Sequence, residues 1–167
     1  MLHQKHLQRK HHPPTPRYSS RSCHKALIES TMQEAPVEVK DAFVLSSYEA
    51  SGLPGIKTLF EEWGAQLLNH VHTQYGKTAL ILASMRNNLE TVQLLVEYGA
   101  TVDFVDSYGW TALREAAYNG NVNVFQFLRE RGADYVAKDS QGRDALACAV
   151  LGVKPEMESY ICSLPSV

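Results

Sequence analysis

The hexapeptide YGKTAL at residues 75–80 returns as YGWTAL at residues 108–113 and, altered, as QGRDAL at residues 141–146. Both intervals are 33 residues. A fixed period of this length predicts stacked copies of one small unit rather than a closed globule. Each copy repeats the same order of residue types: a Gly, a Thr or Asp, Ala-Leu, a small pair, then an apolar pair such as Leu94-Leu95 or Phe127-Leu128. Two copies close on Tyr98-Gly99-Ala100 and Arg131-Gly132-Ala133.

One unit can be read from its residues. In the copy at 106–138, Thr111 caps a short helix over 112–118, because its side-chain oxygen accepts from the free backbone donors of the first turn. Ala116 and Ala117 leave that helix almost without bulk, so a neighbouring helix can approach closely. Gly120 ends it in a positive-φ turn that glycine adopts cheaply. A second helix over 122–131 carries Val124, Phe125, Phe127 and Leu128 as an apolar stripe. Gly132 stops it, and 133–139 form an extended finger. One such hairpin cannot bury its own stripe, so stability is expected to reside in the interfaces between units. Replacing Gly99 or Gly132 by Ala is expected to cost about 1 kcal/mol through the strained helix end.

The period of 33 with T-x-L-x-x-A and then L-L-x-x-G-A resembles the ankyrin repeat. The resemblance covers repeats at 73–105 and 106–138 and a shortened one at 139–167. It implies an all-α repeat solenoid of helix-turn-helix units joined by extended finger loops. A fainter unit at 35–72 keeps internal spacings through Leu45, Gly52, Leu59-Phe60 and Gly64-Ala65, at an offset of 35. The family's Thr-Pro-Leu-His appears here as Thr78-Ala79-Leu80-Ile81, Thr111-Ala112-Leu113-Arg114 and Asp144-Ala145-Leu146-Ala147. The His is absent, so the hydrogen-bond net it usually joins is in question. The column holding Val92 and Phe125 reads Lys57 upstream and Glu158 downstream, which suits capping units at both ends.

Net charge is −2, but no acidic residue precedes Glu29, while Lys5, Arg9, Lys10, Arg17, Arg21 and Lys25 do. The repeat region is therefore acidic, and no nucleic-acid partner is expected. Residues 1–34 form an expected disordered arm rich in basic residues, His, Pro and Ser. Weak metal binding by His3, His6, His11 and His12, or phosphorylation near Tyr18, Ser19, Ser20 and Ser22, are alternatives for it. Cys23, Cys148 and Cys162 have no framework spacing, which argues for a reducing compartment. Cys148 and Cys162 read as core residues. No apolar run is long enough for a membrane span. Cytoplasmic or nuclear residence is expected, with mitochondrial import a minor alternative.

No phosphate-cradling Gly loop or zinc-spaced Cys or His pair occurs, so no enzyme activity, cofactor or metal site is expected. His70 and His72 read as exposed loop positions rather than a metal or catalytic pair. The resemblance places the functional surface on finger tips and the exposed side of the first helices. It selects Gln74, Tyr75, Lys77, Met85 and Arg86, then Ser107, Tyr108, Trp110, Tyr118 and Asn119, then Gln141, Arg143 and Leu151. An aromatic centre flanked by cations is what a binding hot spot looks like. The expectation is a monomeric, non-catalytic adaptor or scaffold for a protein or peptide. The alternative is a substrate-recruiting component of a ubiquitin-ligase system, or a truncated relative of one, since KTALILASMRNN and ESYIC resemble the ankyrin part of plant-type ligases that carry a RING. Three cysteines cannot supply a RING's zinc ligands.

Overall fold

The computed structural model describes residues 34–49 and 51–165. All but Glu34 lie in one unit, residues 35–167. Positions 1–33 of the expected arm, with its His and Ser clusters and Cys23, lie outside the described residues.

The described chain is helical, with no strand among the described residues. Four helix pairs follow one another: α1 Val37–Ser46 and α2 Leu53–Trp63, α3 Ala79–Met85 and α4 Leu89–Glu97, α5 Ala112–Asn119 and α6 Val122–Glu130, α7 Ala145–Leu151 and α8 Pro155–Cys162. A 3-10 turn, Gly64–Leu67, follows α2. Helices α1, α3, α5 and α7 form an inner row in which each packs on the next, and α4 and α6 meet in the outer row. The inner row is made of small and branched residues. Ala79, Ala83, Ala112, Ala116, Ala117 and Ala149 are fully buried, with Leu80 and Leu113 between them. The absence of bulk lets adjacent backbones approach, and the leucines fill what remains. The outer helices point Val92 and Leu95, Val124, Phe125 and Leu128, and Met157 and Ile161 inward. Phe60 stacks on Tyr98 at 3.8 Å between ring centroids, tying α2 to the end of α4.

The helix ends follow the sequence chemistry. Thr78, Thr111 and Asp144 accept from the backbone N–H of Ile81, Arg114 and Ala147 and start the inner helices. A left-handed residue follows α3, α5 and α7 at the same register: Asn87 (φ 57°), Gly120 (φ 77°) and Val153 (φ 55°). Asn and Gly suit that conformation, whereas Val, branched at Cβ, is strained there. Asn121 ties one unit to the previous one by donating to the carbonyls of Ser84 (2.8 Å) and Met85 (3.2 Å).

Four expectations are corrected. Leu45 does not occupy the place of Leu80, since Leu45 is 40% exposed and Leu80 is 2% exposed. The turn between α1 and α2 is longer than that between α3 and α4, so the register slips. For the same reason Ile56, not Lys57, matches Val92 when counted from the helix starts. Ile56 is fully buried and Lys57 is exposed. Cys162 is exposed, because the stripe of α8 runs through Met157 and Ile161 and leaves the next position turned away. Cys148 is buried, and burial pushes its thiol pKa up. His72 is buried, not an exposed loop residue, for a reason that belongs to the fingers.

Candidate functional site

The fingers are pinned by one device. Asp106 N–H donates to the Trp110 carbonyl, and Asp139 N–H to that of Arg143, each at 2.9 Å. The same aspartates accept inside the turn. Asp106 Oδ1 takes the N–H of Tyr108 and Trp110, and Asp139 Oδ1 takes those of Gln141 and Arg143. Gly109 (φ 81°) and Gly142 (φ 74°) supply the left-handed corner. The first finger does this with a histidine. His72 Nδ1 accepts from the N–H of Gln74 (3.1 Å) and Tyr75 (3.2 Å), and the His72 backbone N–H donates to the Lys77 carbonyl. The Asp-x-x-Gly spacing at 106 and 139 carried this signal in the sequence.

The three finger tips present Tyr75 (49% exposed), Tyr108 (66% exposed) and Gln141. Tyr118 (40% exposed) and Asn119 reach the same side from the end of α5, and Met85 and Arg86 from the end of α3. Lys77, Met85, Tyr108, Trp110, Tyr118 and Asn119 line one depression of about 350 Å³ together with Glu115. Tyr75, Lys77 and Met85 line an adjoining cleft of about 240 Å³ with Leu45, Tyr48 and Leu82. Arg86 borders a third hollow beside Tyr48. Arg143 joins through Trp110, its guanidinium 5.7 Å from the ring centroid. Gln141 lines none of these hollows. Gln74 and Ser107 are exposed on the same fingers, and Leu151 is exposed on α7.

Two residues have a different setting from the one their sequence pattern suggests. Lys77 is held between carboxylates. Its Nζ donates to Asp106 Oδ2 at 2.9 Å and to Glu115 Oε1, and both acids are buried. Burial alone would lower its pKa, but the hydrogen bonds it donates to Glu115 and Asp106 outweigh that and hold it above the ordinary lysine value. Trp110 is half-buried, edge-on to Tyr118 at 5.5 Å and packed on the core. Sequence reasoning did not find Glu115, Asp106, Leu45, Tyr48 or Leu82. The position of the missing family histidine is filled in one repeat by Arg114, which is buried and donates to the carbonyls of Gly109 (3.1 Å) and Ala137 (2.7 Å). It thereby ties two fingers together. Ile81 and Ala147 at the other two positions have no group to do so.

Asp139 is the most perturbed carboxylate. The Arg143 backbone N–H lowers its pKa first. With the guanidinium and the Gln141 N–H it outweighs the burial cost and sets the pKa at about 2. A depressed carboxylate stabilises above its unfolded pKa and ceases to do so as pH falls through the folded one. Asp139→Asn keeps the acceptor oxygen and removes the charge. The melting-temperature gap between wild type and Asp139→Asn should therefore be full at pH 5 and shrink between about pH 4 and pH 2. A gap independent of pH would show that this carboxylate contributes no charge-dependent stability. His70 pairs with Asp41 at 2.8 Å. Among the described residues no three His, Cys, Asp or Glu side chains gather as a ligand set. No helix of the described residues is long and apolar enough to cross a membrane.

A family model described as ankyrin repeats, in three copies, matches residues 47–139. That is more than half of the 167 residues, and the chain belongs to the ankyrin-repeat family. Repeats of this family generally mediate protein–protein interaction and are typically non-catalytic. A search of curated proteins found no match to the chain.

Proposed function

We propose that the protein is a non-catalytic adaptor that binds a protein or peptide across the fingers and inner helices. Tyr75, Lys77, Met85, Arg86, Tyr108, Trp110, Tyr118, Asn119, Gln141 and Arg143 form the face. The observation that carries this reading is the row of three exposed tyrosines at 75, 108 and 118 on a backbone whose turns are closed by buried acceptors. Rigid aromatic anchors lose little freedom on binding, so they return more of their contact energy as affinity. Within the face Lys77 orders the surface from below, while Tyr108 and Arg86 meet the partner. The helix pairs at 35–72 and 139–167 serve as caps.

Tyr108→Ala is the test, because this ring is the most exposed of the three and its loss leaves the core intact. Affinity capture from one cell extract with wild type and variant, followed by titration of the captured protein, should show binding weaker by about 2 kcal/mol or more. The melting temperature should be unchanged. Equal affinity would remove the tyrosine row from the interface.

A further inference from the structure

We infer that the partner segment carries a bulky apolar side chain with a carboxylate close by in sequence, the first seated in the Leu45 cleft and the second on Arg86. This rests on the binding-face reading above and specifies its occupant. The cleft is lined by Leu45, Tyr48, Tyr75, Lys77, Leu82 and Met85. Leu45 and Tyr48 are each 40% exposed, and Leu82 is buried. At about 240 Å³ the cleft falls below the ~300–1,000 Å³ of sites for drug-sized molecules and suits a single side chain. Its surroundings are apolar, so a charged group is not favoured inside it.

The charge argument comes from what each cation already holds. Lys77, Arg86 and Arg143 each lie over an aromatic ring of the protein itself, Tyr108, Tyr48 and Trp110 respectively. Lys77 is neutralised by Asp106 and Glu115, and Arg143 by Asp139. Among the described residues no carboxylate lies within ion-pair distance of Arg86, which is exposed. Its guanidinium sits 4.6 Å from the Tyr48 ring, and Tyr48 is also a wall of the cleft. The uncompensated positive charge and the apolar cleft are therefore neighbours that share one side chain. A planar guanidinium fixed on a ring presents its remaining donors to a carboxylate in fork geometry. A basic segment would meet an unpaired cation at the same place and be rejected.

Fluorescence polarisation of the full chain against three sets of labelled ten-residue peptides tests this. One set carries Leu, Phe, Met or Trp within four positions of Asp or Glu. A second replaces the acid by Lys, and a third replaces the apolar residue by Gly. The first set should bind at least about tenfold tighter than either other. Arg86→Glu should remove that advantage and favour the Lys set, and Leu45→Gln should erase the difference between the first and third sets. Both substituted residues are exposed, so unchanged melting temperatures are expected. Equal binding by all sets, preference for the Lys or Gly set, or no binding by any set overturns the inference, as does a ranking unaltered in Arg86→Glu. Binding of a different preference that is lost in Tyr108→Ala defeats the inference while supporting the face, and binding of a different preference that persists there defeats both.

Discussion

Lys77→Met should lower unfolding free energy by about 2–4 kcal/mol. Removing one partner of a buried ion pair typically costs about 3–5 kcal/mol because the other charge is left unpaired. The Lys77 side chain is 18% exposed, so water offsets part of that penalty here. Two acids depend on it. Asp106 is 0% exposed at its side chain and Glu115 8%. Asp106 keeps its two backbone donors in the second finger, whereas Glu115 keeps only Asn119, at 3.3 Å. The larger share of the loss should therefore come from Glu115, and Lys77→Met with Glu115→Gln should be more stable than Lys77→Met alone. Denaturant unfolding of the three proteins measures this. A single variant within 0.5 kcal/mol of wild type would mean the triad is solvated and contributes little.

Gly152→Ala should cost about 3 kcal/mol, well beyond an ordinary glycine substitution. Gly152 has φ −76°, so its backbone is accessible to any residue and no conformational strain is involved. The obstacle is space. A Cβ placed there would lie 1.9 Å from the Tyr118 carbonyl oxygen, and backbone cannot rotate aside as a side chain can. The ends of the inner helices α5 and α7 would have to separate. Gly132 is the opposite case. Its φ is 91°, and an added Cβ meets nothing within 4 Å. Gly132→Ala, and Gly99→Ala at φ 94°, should therefore lose only the conformational term of about 1 kcal/mol. Thermal melts of the three variants separate the two mechanisms. Equal losses at 132 and 152 would argue against close contact between α5 and α7.

The solenoid was legible because its rules are local. The caps at Thr78, Thr111 and Asp144, the turn at Gly120 and the alanine pair at 116–117 each act within a few residues of chain. The role of Lys77 was not legible in the same way. Its acids lie 29 and 38 residues away, and only the stacking of one finger over the next helix brings them together. Lys77 therefore reads as a free flanking cation when it is an internal support. His72 follows the same logic. Without a view of the turn it reads as an exposed loop histidine, yet its ring takes the place that aspartate holds in the next two fingers. The first unit was misregistered because the turn from α1 to α2 spans 47–52 where that from α3 to α4 spans only 86–88, and spacing arguments assume equal turns. Arg114 shows a further limit. The missing histidine signalled a lost net, but a longer side chain at one of the three positions spans two fingers by itself.

Hydrogen exchange on the full chain, free and saturated with a peptide of the apolar–acidic set or with captured partner protein, tests the central claim most directly. Protection should concentrate in residues 74–77, 85–88, 107–110 and 118–119, on the fingers and the ends of the inner helices. Helices α4 and α6 should exchange at unchanged rates on their outward sides. Protection centred on α4 and α6, with the fingers unaffected, would contradict the account.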